Sequence, residues 1–280
     1  MEDRPSCTCT FTERRRKVVC DVTGTRWRSE KSVVTWDARQ VAVVVCDMWD
    51  RHWSMGATRR VGEMVPGLNE FLRALRDHGA LIVFAPAGTM GYYDARPEFA
   101  HARSRASAFG NVAPRPVIDL PRPALPFEIS HGGSDTWCAD DPPHTRTWTR
   151  QHPGLEIDLE RDALTDRGEE VYALLRGENR RQVLFAGVHA NLCVLDRPFG
   201  IRALLSWGLK VTLIRDFTDA MYDPAQPPYV DHGAGTELII GYIENFLCPT
   251  TTSAEVLSGL AGEQISTQQQ PHKGKEMAYE

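Results

Sequence analysis

Residues 182–208 read QVLFAGVHANLCVLDRPFGIRALLSWG, and the fold turns on how they are read. Gln182–Val188 is a continuous apolar run, the pattern of a strand covered on both faces. His189–Leu192 is a short turn. Cys193–Trp207 reads as a helix ended by Gly208, a residue that suits a helix C-terminus. Val211–Arg215 follows as another buried strand. A strand leading through a helix to a second strand is the parallel crossover unit.

The same unit appears upstream. Val41-Ala42-Val43-Val44-Val45-Cys46 is an apolar, β-branched run that stops at Asp47. From Arg59 to His78 a stripe of Val61, Met64, Val65, Leu68, Phe71, Leu72 and Leu75 recurs at helical spacing and ends at Gly79. Ala80–Ala85 is the next strand. A short strand is expected near Thr145–Thr149, a helix over Asp166–Arg176 and a last helix over Thr236–Leu247. Strands alternating with helices imply an α/β fold, a three-layer α/β/α sandwich around a mostly parallel sheet, with the site beyond the carboxyl ends of the strands. One domain is expected over residues 36–250. Residues 1–35 read as an irregular N-terminal arm and 251–280 as a disordered tail. Residues 86–143 are rich in Pro, Gly, Asp and Arg, and an irregular insertion of that length reads as a lid over the site.

Composition narrows the function classes. Of 280 residues, 42% are hydrophobic and 25% charged, with a net charge of −5, so nothing global points to nucleic acid or an anionic membrane surface. The run Arg14-Arg15-Arg16-Lys17 reads as a solvated end. No apolar stretch reaches the ~18 residues of a membrane span, and the first residues lack a signal-peptide core, so a cytoplasmic protein is expected. Seven cysteines, at 7, 9, 20, 46, 138, 193 and 248, fit no disulfide framework and are expected to be reduced.

Three reactive side chains fall where such a sheet places a site. Asp47 ends the first strand, Arg150 follows the third, and Cys193 opens a helix, where unpaired N–H groups favour a thiolate and can hold an oxyanion. A buried, inert cysteine is the other reading of position alone. Trp49 and Trp53 flank Asp50 and His52, either as a pocket wall or as core. The Asp50-Arg51-His52 pair is better suited to polar lining than to a metal, and Cys138 and His144 lack two further ligands for zinc.

Gly187-Val188-His189-Ala190-Asn191-Leu192-Cys193-Val194, the strand that begins at Lys210, and Val43-Val44-Val45-Cys46-Asp47-Met48 together resemble the isochorismatase-like cysteine hydrolases, which include nicotinamidases and N-carbamoyl amidohydrolases. The resemblance spans about residues 40–85 and 144–247. It implies a sheet of about six parallel strands, a triad of Asp, Lys and Cys, and a cis peptide at Val188–His189. It also implies an oxyanion hole made of the His189 and Cys193 N–H groups. No lysine lies between Lys31 and Lys210, and Arg150 stands at the matching position. An arginine there cannot share a proton, but it can supply a fixed charge. At ~4 Å and an effective dielectric of ~20 that charge is worth ~4 kcal/mol, or ~3 units on a thiol.

The expected activity is hydrolysis of a C–N bond in a small amide-type molecule through a thioester, without metal or other cofactor. Cys193 attacks, Asp47 moves the proton and Arg150 supplies the field. A homo-oligomer is expected from the resemblance. The alternative is a noncatalytic binding or scaffold protein on the same fold, because the lysine is gone.

Overall fold

The computed structural model describes residues 7–22, 24–110, 112, 114–127 and 140–262. The chain opens with two long strands, β1 (Thr8–Asp21) and β2 (Gly24–Asp37), before β3 (Val41–Cys46), helix α1 (Met55–Asp77) and β4 (Leu81–Ala85). Short helices α2 (Met90–Asp94) and α3 (Ala100–Ser107) precede β5 (Ala163–Leu164), α4 (Gly168–Gly177) and β6 (Gln182–Val188). Then come α5 (Cys193–Asp196), α6 (Ile201–Ser206), β7 (Lys210–Asp219), α7 (His232–Phe246), β8 (Thr250–Thr251) and α8 (Ser253–Leu260).

All strands join one 8-stranded sheet in the order β2-β1-β8-β7-β6-β3-β4-β5. From β8 to β5 every neighbouring pair is parallel, and β1 and β2 are added antiparallel beside β8. The sheet therefore has eight strands, not about six. The chain winds outward from β3 through β4 and β5, then returns to the other side of β3 for β6, β7 and β8. In open α/β sheets such a reversal marks the strand ends where ligands bind, and Asp47 and Cys193 stand just beyond the carboxyl ends of β3 and β6.

The continuous apolar runs follow from burial on both faces. Along β3, Val43 and Val45 pack into one layer with Leu68, Phe71 and Leu72 of α1 and Val256 of α8. Ala42, Val44 and Cys46 face the other, with Val171 and Leu174 of α4, Leu204 of α6 and Ile239 and Ile243 of α7. Each large aliphatic side chain so covered contributes ~1.5–3 kcal/mol. Helix α1 starts four residues before the sequence expectation because the Ser54 side chain accepts from the Ala57 N–H at 3.3 Å.

Gly187 marks the closest approach of the two site strands. Its φ is +116°, and a Cβ there would lie 2.0 Å from the Cys46 carbonyl oxygen. One strand later, the pairing of β6 with β7 jumps from Phe185↔Leu213 to Gly187↔Thr218. The bulge carries β7 on past Arg215, where the sequence pattern ended it, to set Asp219 opposite Val188.

Several expectations are corrected. The arm expected to be irregular over 1–35 is a β-hairpin from Thr8 to Asp37, formed because Cys9, Phe11 and Glu13 alternate inward. Its basic run is not a free end: Arg14 and Arg16 both bind the fully buried Glu244 carboxylate, at 2.5 and 3.1 Å. The tail expected from 251 begins with β8 and α8, and Thr252 with Glu255 forms a capping box, a sequence signal that was there to be read. Residues 263–280 lie outside the described residues.

The expected strand at Thr145–Thr149 is absent. That segment lies over the strand ends, where an antiparallel bridge between Trp49 and Gln151 and the Asp50 carboxylate hold it, and β5 pairs with β4 at the edge of the sheet. The expected single helix over 193–207 is two, because Pro198 disfavours helical backbone at Arg197, whose φ and ψ are −60° and 154°.

The segment 86–143, expected to be a lid, divides. α3 packs against β5 and α4. Residues 114–127 run along the outer helices, where Val117 N–H donates to Ser206 and Tyr242 Oη donates to the Pro123 carbonyl. Residues 128–139 lie outside the described residues, and beyond them Asp141 N–H donates to the Trp53 carbonyl at 3.0 Å. Among the described residues, no helix is long and apolar enough to cross a membrane.

Candidate active site

Asp47 leaves β3 with φ of 49°, a left-handed conformation that aspartate tolerates better than most residues. The turn points its carboxylate inward. Oδ1 accepts from the Ala87 N–H at 2.7 Å, and Oδ2 accepts from Arg197 Nε at 2.7 Å. The Cys193 thiol donates to the same carboxylate. Burial pushes the carboxyl up to about 6, although Arg197, the thiol and the Ala87 N–H all pull it down.

Cys193 opens α5 at the end of the turn after β6, and its sulfur is largely covered. Burial, then the Asp47 charge, push the thiol up to about 12, against the opposing pull of Arg197 and of the His189 N–H, which donates to the sulfur. The thiol is therefore neutral at pH 7 and donates its proton to Asp47. A depressed pKa, expected from a long helix behind the cysteine, is not what the structure has. α5 is a single turn, and the charges of Asp47 and Arg197 oppose each other at the sulfur, which leaves burial to decide.

The cation of the site is Arg197, not Arg150. Arg150 donates from Nη1 to Tyr92 Oη at 2.7 Å, with its guanidinium carbon 5.2 Å from the Tyr92 ring centre. It lines a cavity of about 250 Å³ with Tyr92, Tyr93, Phe99 and His152, whereas the guanidinium that pulls both Asp47 and Cys193 down is that of Arg197. The physical reason is the missing strand at 145–149. Without it, Arg150 does not emerge at a strand end beside Asp47. Arg197 is available because Pro198 breaks the helix and turns it back toward β3. Its guanidinium also lies 5.8 Å from the Trp49 ring.

The Val188–His189 peptide is cis. Among the described N–H groups of the turn, those of Leu192 and Val194 donate to the His189 carbonyl, and that of Ala190 donates to the Asp219 carbonyl at 2.7 Å. The His189 N–H already points at the sulfur, where the resemblance places one half of an oxyanion hole. The His189 ring is buried and neutral, pushed down to about 4 by burial, and its Nε2 has no partner among the described residues.

The four expected lining residues separate into two groups. Trp49 stacks on Trp148 at 4.2 Å, and His52 lies parallel to Trp148 at 5.7 Å and edge-on to His189 at 5.0 Å. Trp53 packs at 5.1 Å from His52 and 5.9 Å from His144. These make an aromatic wall in which the buried Trp49 indole N–H has no acceptor among the described residues. Burial holds His52 down at about 3, and its Nδ1 accepts from the Ser54 N–H. Asp50 does something else. Its carboxylate accepts from the Thr149 N–H and hydroxyl at 2.9 and 2.5 Å, which fastens the 145–150 segment to the turn after β3.

Sequence reasoning missed Arg197, and it also missed the support beneath the cysteine turn. Asp219 accepts from Arg60 Nε at 2.8 Å and lies 2.7 Å from His232 Nε2. Burial opposes its charge, but His232, Arg60 and His189 hold its carboxyl down at about 2. The Asn191 side chain bonds the backbone of Met221 in both directions at 2.9 Å. The signal for Arg197 was Pro198 inside an apparent helix, five residues after Cys193 opens it. No local signal marks Asp219, whose place depends on the bulge.

Among the described residues, no cluster of three or more His, Cys, Asp or Glu side chains could hold a metal ion, and Cys7, Cys9, Cys20, Cys46, Cys193 and Cys248 are free thiols. Cys138 lies outside the described residues.

No family model matches the sequence, and no curated protein matches it. Among solved structures, it is similar to a cysteine hydrolase from Pseudomonas syringae pv. phaseolicola 1448A, at 16% identity over 82% of this chain and 96% of that one, with a TM-score of 0.47. It is also similar to an isochorismatase from Pseudomonas putida KT2440, at 14% identity over 78% and 91%, TM-score 0.46. A third similar structure is an isochorismatase family protein from Burkholderia thailandensis, at 14% identity over 80% and 96%, TM-score 0.43.

Proposed function

We propose that this chain is an isochorismatase-like cysteine hydrolase that cleaves a C–N bond in a small amide-type substrate. The observation that carries the reading is one buried carboxylate, Asp47, held between the Cys193 thiol and the Arg197 guanidinium.

As the sulfur attacks the substrate carbonyl carbon, its proton passes to Asp47, which is poised by its raised pKa to accept it. The carbonyl oxygen gains charge and is received by the N–H groups of His189 and Cys193. Asp47 then gives the proton to the leaving nitrogen as the C–N bond breaks, which leaves a thioester on Cys193. Water, deprotonated by Asp47, attacks the thioester, and the acid departs as the proton returns to sulfur. Arg197 never transfers a proton. It keeps Asp47 ionised between steps despite burial. The Trp49 indole N–H, the His189 ring nitrogen and the aromatic wall are suited to a flat, polar molecule. No nucleic acid or membrane partner enters this reading, and a cytoplasmic location is proposed with it.

The test is incubation with simple primary and N-carbamoyl amides, with ammonia release followed alongside intact mass. Turnover with an acyl adduct on the wild type, both lost in Cys193→Ala, is expected. A thiol pushed up to about 12 also fits an inert cysteine in a binding protein. Binding of such amides with neither adduct nor ammonia would select that second reading.

A further inference from the structure

We propose that the outer edge of β2 is a self-association surface, on which a second copy of this chain pairs its own β2 antiparallel about a two-fold axis at Ser29.

β2 is the last strand of the sheet, and its pairing with β1 runs without a bulge from Thr8↔Asp37 to Asp21↔Gly24. Residues 24–33 are exposed throughout, so among the described residues nothing covers that edge. A long, regular edge presents a row of backbone N–H and C=O groups ready to pair with another strand. Edges are commonly blunted by proline, a bulge or repelling charges; β2 has neither proline nor bulge, and its charges of both signs can pair with those of a second copy.

The charges select both the occupant and the register. Two identical antiparallel strands related by a two-fold axis place one residue opposite itself, and its neighbours pair symmetrically. With the axis at Ser29, Arg28 faces Glu30 of the second copy and Glu30 faces its Arg28. Trp27 then faces Lys31, a cation over an indole. Shifting the axis one residue sets Arg28 or Glu30 against itself. An axis at Trp27 opposes Arg26 to Arg28, and one at Lys31 opposes two lysines. Of these neighbouring registers, only Ser29 pairs opposite charges at the centre. Glu30 already bonds Lys17 of its own hairpin at 2.7 Å, and its side chain remains 45% exposed and open to a second cation.

The experiment uses the full chain with Cys20→Ser as background, which removes an exposed thiol from the hairpin. Light scattering should return about twice the monomer mass of 31.4 kDa. Ser29→Cys should form a disulfide-linked dimer on mild oxidation, because residues opposite each other lie about 4.5–5.5 Å apart at Cα, within disulfide range. Lys31→Cys should not, since its two copies stand about 14 Å apart along the strands. Glu30→Arg should weaken the dimer about tenfold or more, and adding Arg28→Glu in the same chain should restore it. A monomer at working concentration overturns the proposal. So does a dimer that resists Glu30→Arg and does not cross-link through Ser29→Cys.

Discussion

Replacing Arg197 by methionine removes the positive charge from Asp47 while keeping most of the aliphatic stem. At ~4 Å and an effective dielectric of ~20 a full charge is worth ~4 kcal/mol, and halving this for the partial exposure of the guanidinium leaves ~2 kcal/mol, or ~1.5 pKa units. The Asp47 carboxyl, pushed up to about 6 in the wild type, then titrates higher by about that amount. A carboxylate acting as base is active when ionised, so activity rises with pH through its pKa. The acid limb of the kcat/KM profile should therefore lie near 6 in the wild type and move alkaline in Arg197→Met. Activity should fall about fourfold at pH 7 and recover largely by pH 9. Arg197→Lys should bring the limb part of the way back. Arg150→Met should leave it in place, because Arg150 is engaged with Tyr92 instead. An acid limb that stays put in Arg197→Met and shifts in Arg150→Met would refute this assignment and return the role to Arg150.

Asp47→Asn removes the negative neighbour of the thiol, so iodoacetamide should label Cys193 faster at pH 8 than in the wild type, while amide turnover falls by ~10²–10⁴. Pro198→Ala lets α5 continue and takes Arg197 out of its extended backbone. kcat/KM should drop about tenfold or more with little change in melting temperature, and a variant at wild-type rate would mean the break is incidental. Gly187→Ala drives a methyl into the Cys46 carbonyl from a backbone with φ of +116°. Urea unfolding should show a loss of ~3 kcal/mol or more, and a loss under ~1 would contradict the close approach.

Much of the architecture was legible because burial on both faces leaves a local signature. The runs at 41–46, 80–85 and 182–188 could be little else than central strands, and their order set the sheet's winding. The hairpin and the last strand and helix escaped notice because half their residues face solvent and their apolar positions are sparse. In β1 only Cys9, Phe11 and Glu13 are buried. The segment Thr145–Thr149 erred in the opposite sense. Its alternating threonines suit a strand, but β5 takes the place beside β4 that would have paired it.

The site divides along the same line. The places of Asp47 and Cys193 could be read from sequence, since Asp47 follows the last residue of β3 and Cys193 opens the helix after the short turn that ends β6. That is a property of consecutive residues, and it holds however the rest of the chain is arranged. The partner charge and the thiol's protonation state belong to the tertiary structure. Arg197 reaches Asp47 across 150 positions of sequence. It does so only because Pro198 opens the helix and Gly187 lets β3 and β6 close to contact. Burial, which exists only once the chain is packed, then outweighs the two opposed charges and keeps the sulfur protonated.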